Sequence, residues 1–213
     1  MSVLRFAVFM ILLFFCVEGK AQSLSLNTGN EGVRFSASAG YSMVEIVNSD
    51  HTKAYYGGLS AMGGFDVPVI DDKWFRAGLG ANIRYIDMSN NADSDEQRET
   101  GNHLGYGPSV NFRFFKFLVG AEYYWVNAKH YWVGELNDFR EFDMNVFSYY
   151  GGMDFNLFKG ISISVLYTKG TGVISKKDLE LPNDATYNEN IIWINFNFFT
   201  GSSLGELVEP VFK

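Results

Sequence analysis

A chain of 213 residues carries one domain, or one domain and a leader. Its 22 glycines, 4 prolines and 17% aromatics suit closely paired strands and argue against a helical bundle. The formal charge is −7 and the basic residues are scattered, which excludes a nucleic-acid partner because phosphates need a basic surface.

Met1 to Ala21 reads as a cleaved signal peptide. Arg5 precedes an apolar run from Phe6 to Val17, and Gly19 and Ala21 supply the small residues of a cut before Gln22. The run is shorter than the roughly 20 residues a membrane-spanning helix needs. Loss of Arg5, Lys20 and Glu18 removes two bases and one acid, so the charge moves from −7 to −8. The single cysteine, Cys16, lies inside this leader, and the bulky Leu13-Phe14-Phe15 before it does not form a lipobox. A mature chain without thiols has no disulfide, no Cys-ligated zinc and no cysteine nucleophile.

From Val33 the chain alternates with period two. Val33, Phe35, Ala37, Ala39, Tyr41 and Met43 fall on one face, and Arg34, Ser36, Ser38, Gly40 and Ser42 on the other. The pattern recurs over 55–67, 75–85, 104–114, 117–125, 147–157, 161–168 and 192–198. These segments approach the 9–11 or so residues of a tilted membrane strand. They predict an all-β fold over 22–199: an eight-stranded antiparallel up-and-down transmembrane barrel with its apolar face in lipid.

The connections alternate in length. Short turns are expected at 68–73, 115–116 and 158–160, and longer polar loops at 48–53, 89–103, 127–143 and 170–190. Short turns at one end and long loops at the other are the pattern of periplasmic turns and extracellular loops. Aromatics near segment ends, such as Tyr55, Trp74, Trp125 and Tyr149, suit the two membrane interfaces. Residues 200–213 follow the last strand as a tail.

With leader, alternation and loop asymmetry in place, the chain resembles the small outer-membrane barrels of the OmpX and OmpA-barrel type. It resembles more closely the PorT-like barrel group of Bacteroidota. The likeness spans Gln22 to Phe199, with pieces such as Gly-Tyr-Gly-Pro-Ser-Val-Asn-Phe at 105–112 and Gly-Gly-Met-Asp-Phe-Asn-Leu at 151–157, and a leader ending Lys-Ala-Gln. It implies a bacterial outer-membrane location and a lipid bilayer around the barrel. It also implies a place among secretion accessories, adhesins and structural barrels.

The inward face would carry Arg34, Asp66, Arg76, Arg84, Arg113, Glu122 and Asp154. Eight strands enclose a space that side chains fill, so a paired, hydrogen-bonded plug is expected there in preference to an ion path. The three histidines, His51, His103 and His130, are expected at loops or strand starts without a catalytic role, since neither a GxSxG nor an HExxH motif is present. Asp93, Asp95, Glu96 and Glu99 form an acidic loop cluster that reads as solvated, its spacing differing from a calcium loop. Tyr131, Trp132 and Phe139, with Leu179, Leu181 and Tyr187, make two apolar loops suited to contact with a partner or to folding over the barrel mouth. No cofactor or metal is expected. The expected role is non-enzymatic: a structural or protein-binding component, as an accessory of an outer-membrane secretion or assembly machine. The competing readings are a lipid-modifying enzyme with a loop histidine, a surface adhesin and a soluble lipocalin-like barrel.

Overall fold

The computed structural model describes residues 32–47, 51–72, 74–90, 98–132, 139–158, 160–175 and 185–201. The expected leader (1–21), the carboxylates Asp93, Asp95 and Glu96, and residues 202–213 of the tail lie outside the described residues. Eight strands follow one another: β1 (Arg34–Val47), β2 (Lys53–Asp71), β3 (Phe75–Asn90), β4 (Glu99–Phe114), β5 (Phe117–Trp132), β6 (Phe139–Phe158), β7 (Ile161–Ser175) and β8 (Thr186–Phe199). Each pairs antiparallel with the next, and β8 pairs with β1 to close the barrel. Closure leaves no strand edge with unpaired backbone groups, a requirement in hydrocarbon.

The turns are short at one end. Phe115-Lys116 joins β4 to β5, with Phe115 in the left-handed region at φ 55°. That conformation is uncommon for a side chain of this bulk. The Phe115 amide donates to the Trp74 carbonyl at 3.1 Å, tying this turn to the one beside it.

The outer surface of the lower barrel is apolar. Leu59, Leu79, Tyr106, Val119, Phe147 and Ile194 are all about half exposed. From Phe147 to Leu157 there are ten residue steps of about 3.3 Å, which at a tilt of about 40° span about 25 Å, the height of a lipid-facing band. A soluble barrel keeps its polar face outside, so this belt excludes the lipocalin-like reading.

Above the belt the pattern inverts while the strands continue. On β5 the outward residues run Tyr123, Trp125, then Asn127 and Lys129, while the inward Val126 and Ala128 are buried. On β3 the outward Ile83 and Tyr85 give way to Asp87 and Ser89, with Ile86 and Met88 buried inside. On β6 Asp143 and Asn145 face out and Phe142, Met144 and Val146 face in. The cause is the solvent. Within the bilayer the outside is hydrocarbon and polar groups go inside; above it the outside is water and an ordinary hydrophobic core forms within.

This inversion corrects the expected loop boundaries. Strands run to Asn90, Trp132 and Ser175 and restart at Glu99, Phe139 and Thr186, well inside the stretches 89–103, 127–143 and 170–190. Likewise β2 runs through Asp71, past a bulge between Pro68 and Ile70.

Candidate functional site

The lumen is filled in three tiers, each held by inward side chains from alternate strand positions. The lowest lies toward the short turns. There Arg34 Nε donates to Asp66 Oδ2 at 2.9 Å, and Arg76 Nη2 lies 3.3 Å from Asp66 Oδ1 and donates to the Gly32 carbonyl at 2.8 Å. Arg76 also reaches Asp71 at 3.4 Å, and Asn111 donates to Asp66 at 3.2 Å. Arg113 pairs with Asp154 at 3.4 Å, and Ser164 Oγ donates to the other Asp154 oxygen at 2.8 Å. Asn197 donates to Ser164 and Ser162. The Phe199 ring lies beneath the Arg76 and Arg113 guanidinium groups, 5.5 and 5.8 Å from its centroid, and so narrows the lower mouth.

In the middle tier Asn82 donates to Glu122 at 2.6 Å. Arg84 lies with its guanidinium 3.9 Å over the Tyr124 ring and donates to Glu189 Oε1 at 2.5 Å. Glu189 also accepts from Ser148 at 2.8 Å and, on Oε2, from Tyr187 at 2.9 Å. Between the two lower tiers a cavity of about 20 Å³, lined by Arg34, Asp66, Ser109, Glu122 and Tyr150 among others, has room for about one water.

The upper tier sits where the strands leave the lipid belt. His103 on β4 and His130 on β5 face one another, Nε2 to Nε2, at 2.9 Å. His130 Nδ1 is 3.0 Å from Glu99 Oε1, and Tyr56 donates to Glu99 Oε2 at 2.6 Å. His103 Nδ1 lies 3.5 Å from the Tyr187 hydroxyl, the outer limit of a hydrogen bond. Both rings pack against Phe142. Gly101 leaves the space that the His130 ring fills, since a Cβ at that position would lie 2.7 Å from His130 Nε2.

The structure places Arg34, Asp66, Arg76, Arg84, Arg113, Glu122 and Asp154 on the inward face, joined into the two lower tiers. The expected positions of other residues are corrected. His103 and His130 are not at loops; they are strand residues, 1% and 2% exposed. Glu99, assigned to a solvated loop, is buried as the first residue of β4. Tyr187, assigned to a partner-contact loop, is a fully buried β8 residue with its hydroxyl in the lumen. Tyr131 is an outward, half-buried β5 residue whose hydroxyl accepts from Asn102. Trp132 ends β5 and Phe139 begins β6, with their side chains outside the described part of the chain, as are Leu179 and Leu181 entirely. Among the described residues no group of three or more His, Cys, Asp or Glu side chains is arranged to hold a metal.

Sequence reasoning missed Glu189 and the histidine pair because both sit in stretches that read as loops. Counting by twos would have found them: from Trp193 back through Ile191 to Glu189 and Tyr187, from Gly105 back to His103, and from Tyr124 on to His130.

No protein-family model matches the sequence, and no curated protein does. Among solved structures the chain is similar to the Neisserial surface protein A, at 13% identity over 76% of this chain and 95% of that one, with a TM-score of 0.52. Ail, the attachment invasion locus protein of Yersinia pestis, is 13% identical over 78% of this chain and 99% of its own, with a TM-score of 0.46. The outer membrane protein OprG from Pseudomonas aeruginosa is 9% identical over 79% and 95%, with a TM-score of 0.39. By its fold and its lipid-facing belt, this chain is an eight-stranded β-barrel of the bacterial outer membrane.

Proposed function

We propose that this barrel is a non-enzymatic structural or protein-binding component that works through its projecting extracellular rim. The observation that carries the reading is the filled lumen. Charges interlock from the lower mouth to the middle, and an apolar core and the histidine pair cap them above. Such an interior offers no diffusion route, which leaves the outer surface as the working face. The strands rise past the belt and carry a collar of polar side chains, Asp87, Asn127, Lys129, Glu141 and Asn188 among them, into the space outside the membrane. The PorT-like resemblance of the sequence adds the expectation of an accessory role beside other outer-membrane or secretion-system proteins.

The lipid-modifying alternative needs a histidine nitrogen turned toward a substrate. His103 and His130 have all four ring nitrogens turned toward partners inside the barrel. That arrangement takes the two buried histidines out of such a role and leaves His51, exposed between β1 and β2, as the histidine still in a loop.

A gentle-detergent pull-down of the tagged barrel from native outer membranes is expected to recover a protein in stoichiometric amount, with the lipid A and phospholipid profile of a deletion strain unchanged. Recovery of the barrel alone together with an altered lipid profile would contradict the proposal and move the weight to the enzyme.

A further inference from the structure

We propose that the His103–His130 pair is a proton-operated lock on the extracellular end of the lumen, closed while the pair shares one proton and opened by a second. The geometry is that of a proton shared between rings. The two Nε2 atoms are 2.9 Å apart, the ring centroids 5.2 Å, and the planes differ by 22°, so the imidazoles meet end to end. A bridging metal would instead need both lone pairs to converge at an angle on a third point, with further ligands around it.

The proton count follows from the partners. Tyr187 gives its one hydroxyl hydrogen to Glu189, so toward His103 Nδ1 its oxygen can only accept. His103 Nε2 is then bare and takes the Nε2 hydrogen of His130. His130 Nδ1 faces the Glu99 carboxylate, which already accepts from Tyr56, and one proton is held between Glu99 and His130. A further proton on His103 has only Nε2 to occupy. There it meets the Nε2 hydrogen of His130, which turns an acceptor into a donor and sets two N–H groups end to end.

The surroundings sharpen the effect. Among the described side chains, the titratable and charged ones that face the pair are Tyr56 from β2, Arg84 from β3, Glu99 from β4, and Tyr187 and Glu189 from β8. Arg140 of β6 holds the register position beside His130. From β1 and β7 the inward side chains at this level, Val44, Ile46 and Ile174, are apolar. The chain from Tyr56 through Glu99, His130, His103 and Tyr187 to Glu189 staples β2, β4, β5 and β8 across the lumen. It does so at the level where hydrocarbon no longer supports the wall, so breaking it releases the rim and leaves the embedded barrel intact.

The test is amide hydrogen exchange of the full chain in lipid nanodiscs at about pH 8 and about pH 5, corrected for intrinsic rates. The wild type is expected to lose protection about tenfold or more at 99–103 and 126–130 on acidification, while 106–112 and 117–123 hold. His103→Phe keeps the packing against Phe142 and cannot take the proton, so its rim is expected to be equally protected at both pH values. Equal protection of the wild type at both, or pH dependence that persists in His103→Phe, would overturn the proposal. A second readout needs no variant: side-chain nitrogen NMR of the wild type should show His103 with a bare Nε2 while the rim is protected and both nitrogens protonated at the pH where rim protection is lost. A His103 that keeps its bare nitrogen after the rim has lost protection would overturn the proposal equally.

Discussion

Replacing Glu189 with alanine is expected to destabilise the barrel by about 3–5 kcal/mol, near the upper end of that range. Glu189 is fully buried and accepts from Arg84, Ser148 and Tyr187. Arg84 is 2% exposed, and Glu189 is the only carboxylate hydrogen-bonded to it among the described residues. Removing the acid therefore strands a buried cation, and two hydroxyls lose their acceptor at about 1–3 kcal/mol each where no replacement is found. The measurement is the urea midpoint of unfolding in lipid vesicles. The double variant Glu189→Leu with Arg84→Met separates charge from packing. Removing both charges should restore most of the loss, short of the hydroxyl contribution. A double variant as unstable as Glu189→Ala would mean that the ion pair itself, and not the stranded arginine, holds the middle tier.

The second large effect is Asp66→Ala in the lower tier. Asp66 is 2% exposed and receives Arg34, Arg76 and Asn111. The expected cost is about 3 kcal/mol, at the lower end of the range for breaking a buried pair. It is smaller than at Glu189 because Arg76 keeps Asp71 and the Gly32 carbonyl, and the Arg34 side chain is 12% exposed at the mouth. Asp66→Asn, which keeps a carbonyl oxygen for Arg34, should lose less. The same unfolding measurement checks both, and an Asp66→Ala midpoint equal to wild type would show that the Asp66 carboxylate contributes no stability to the lower tier.

The barrel was legible in the sequence wherever the two solvents of a strand differ. Between Phe35 and Met43, or Phe75 and Tyr85, lipid lies on one side and a polar lumen on the other, so each residue declares its face. The seven lumenal charges could be named for the same reason. The rim was not legible, because above the belt the roles of the faces exchange. Val126 and Ala128 turn in, Asn127 and Lys129 turn out, and the alternation read as apolar-out breaks at the point of exchange. A polar-rich stretch there looks like a loop although backbone pairing continues for several more residues. His103, His130, Tyr187 and Glu189 were lost with it. What they bond to was beyond sequence reading in any case: His103 and Tyr187 lie 84 positions apart, and Arg84 and Glu189 lie 105 apart. Barrel closure brings them together, and only the register of all eight strands fixes their heights.

The exchange of faces on β5 is the point on which the whole assignment of lipid, lumen and rim depends. Cysteine scanning reads it directly, since the only cysteine of the sequence is Cys16 and Cys16→Ser gives a background free of thiols. Single cysteines would be placed at Tyr123, Trp125, Val126, Asn127, Ala128 and Lys129, and whole cells treated with a membrane-impermeant maleimide. Labelling is expected at Asn127 and Lys129 alone, with Tyr123 and Trp125 shielded by lipid and Val126 and Ala128 by the core. Labelling at Val126 and Ala128 with Asn127 and Lys129 silent, or at Tyr123 and Trp125, would contradict the account.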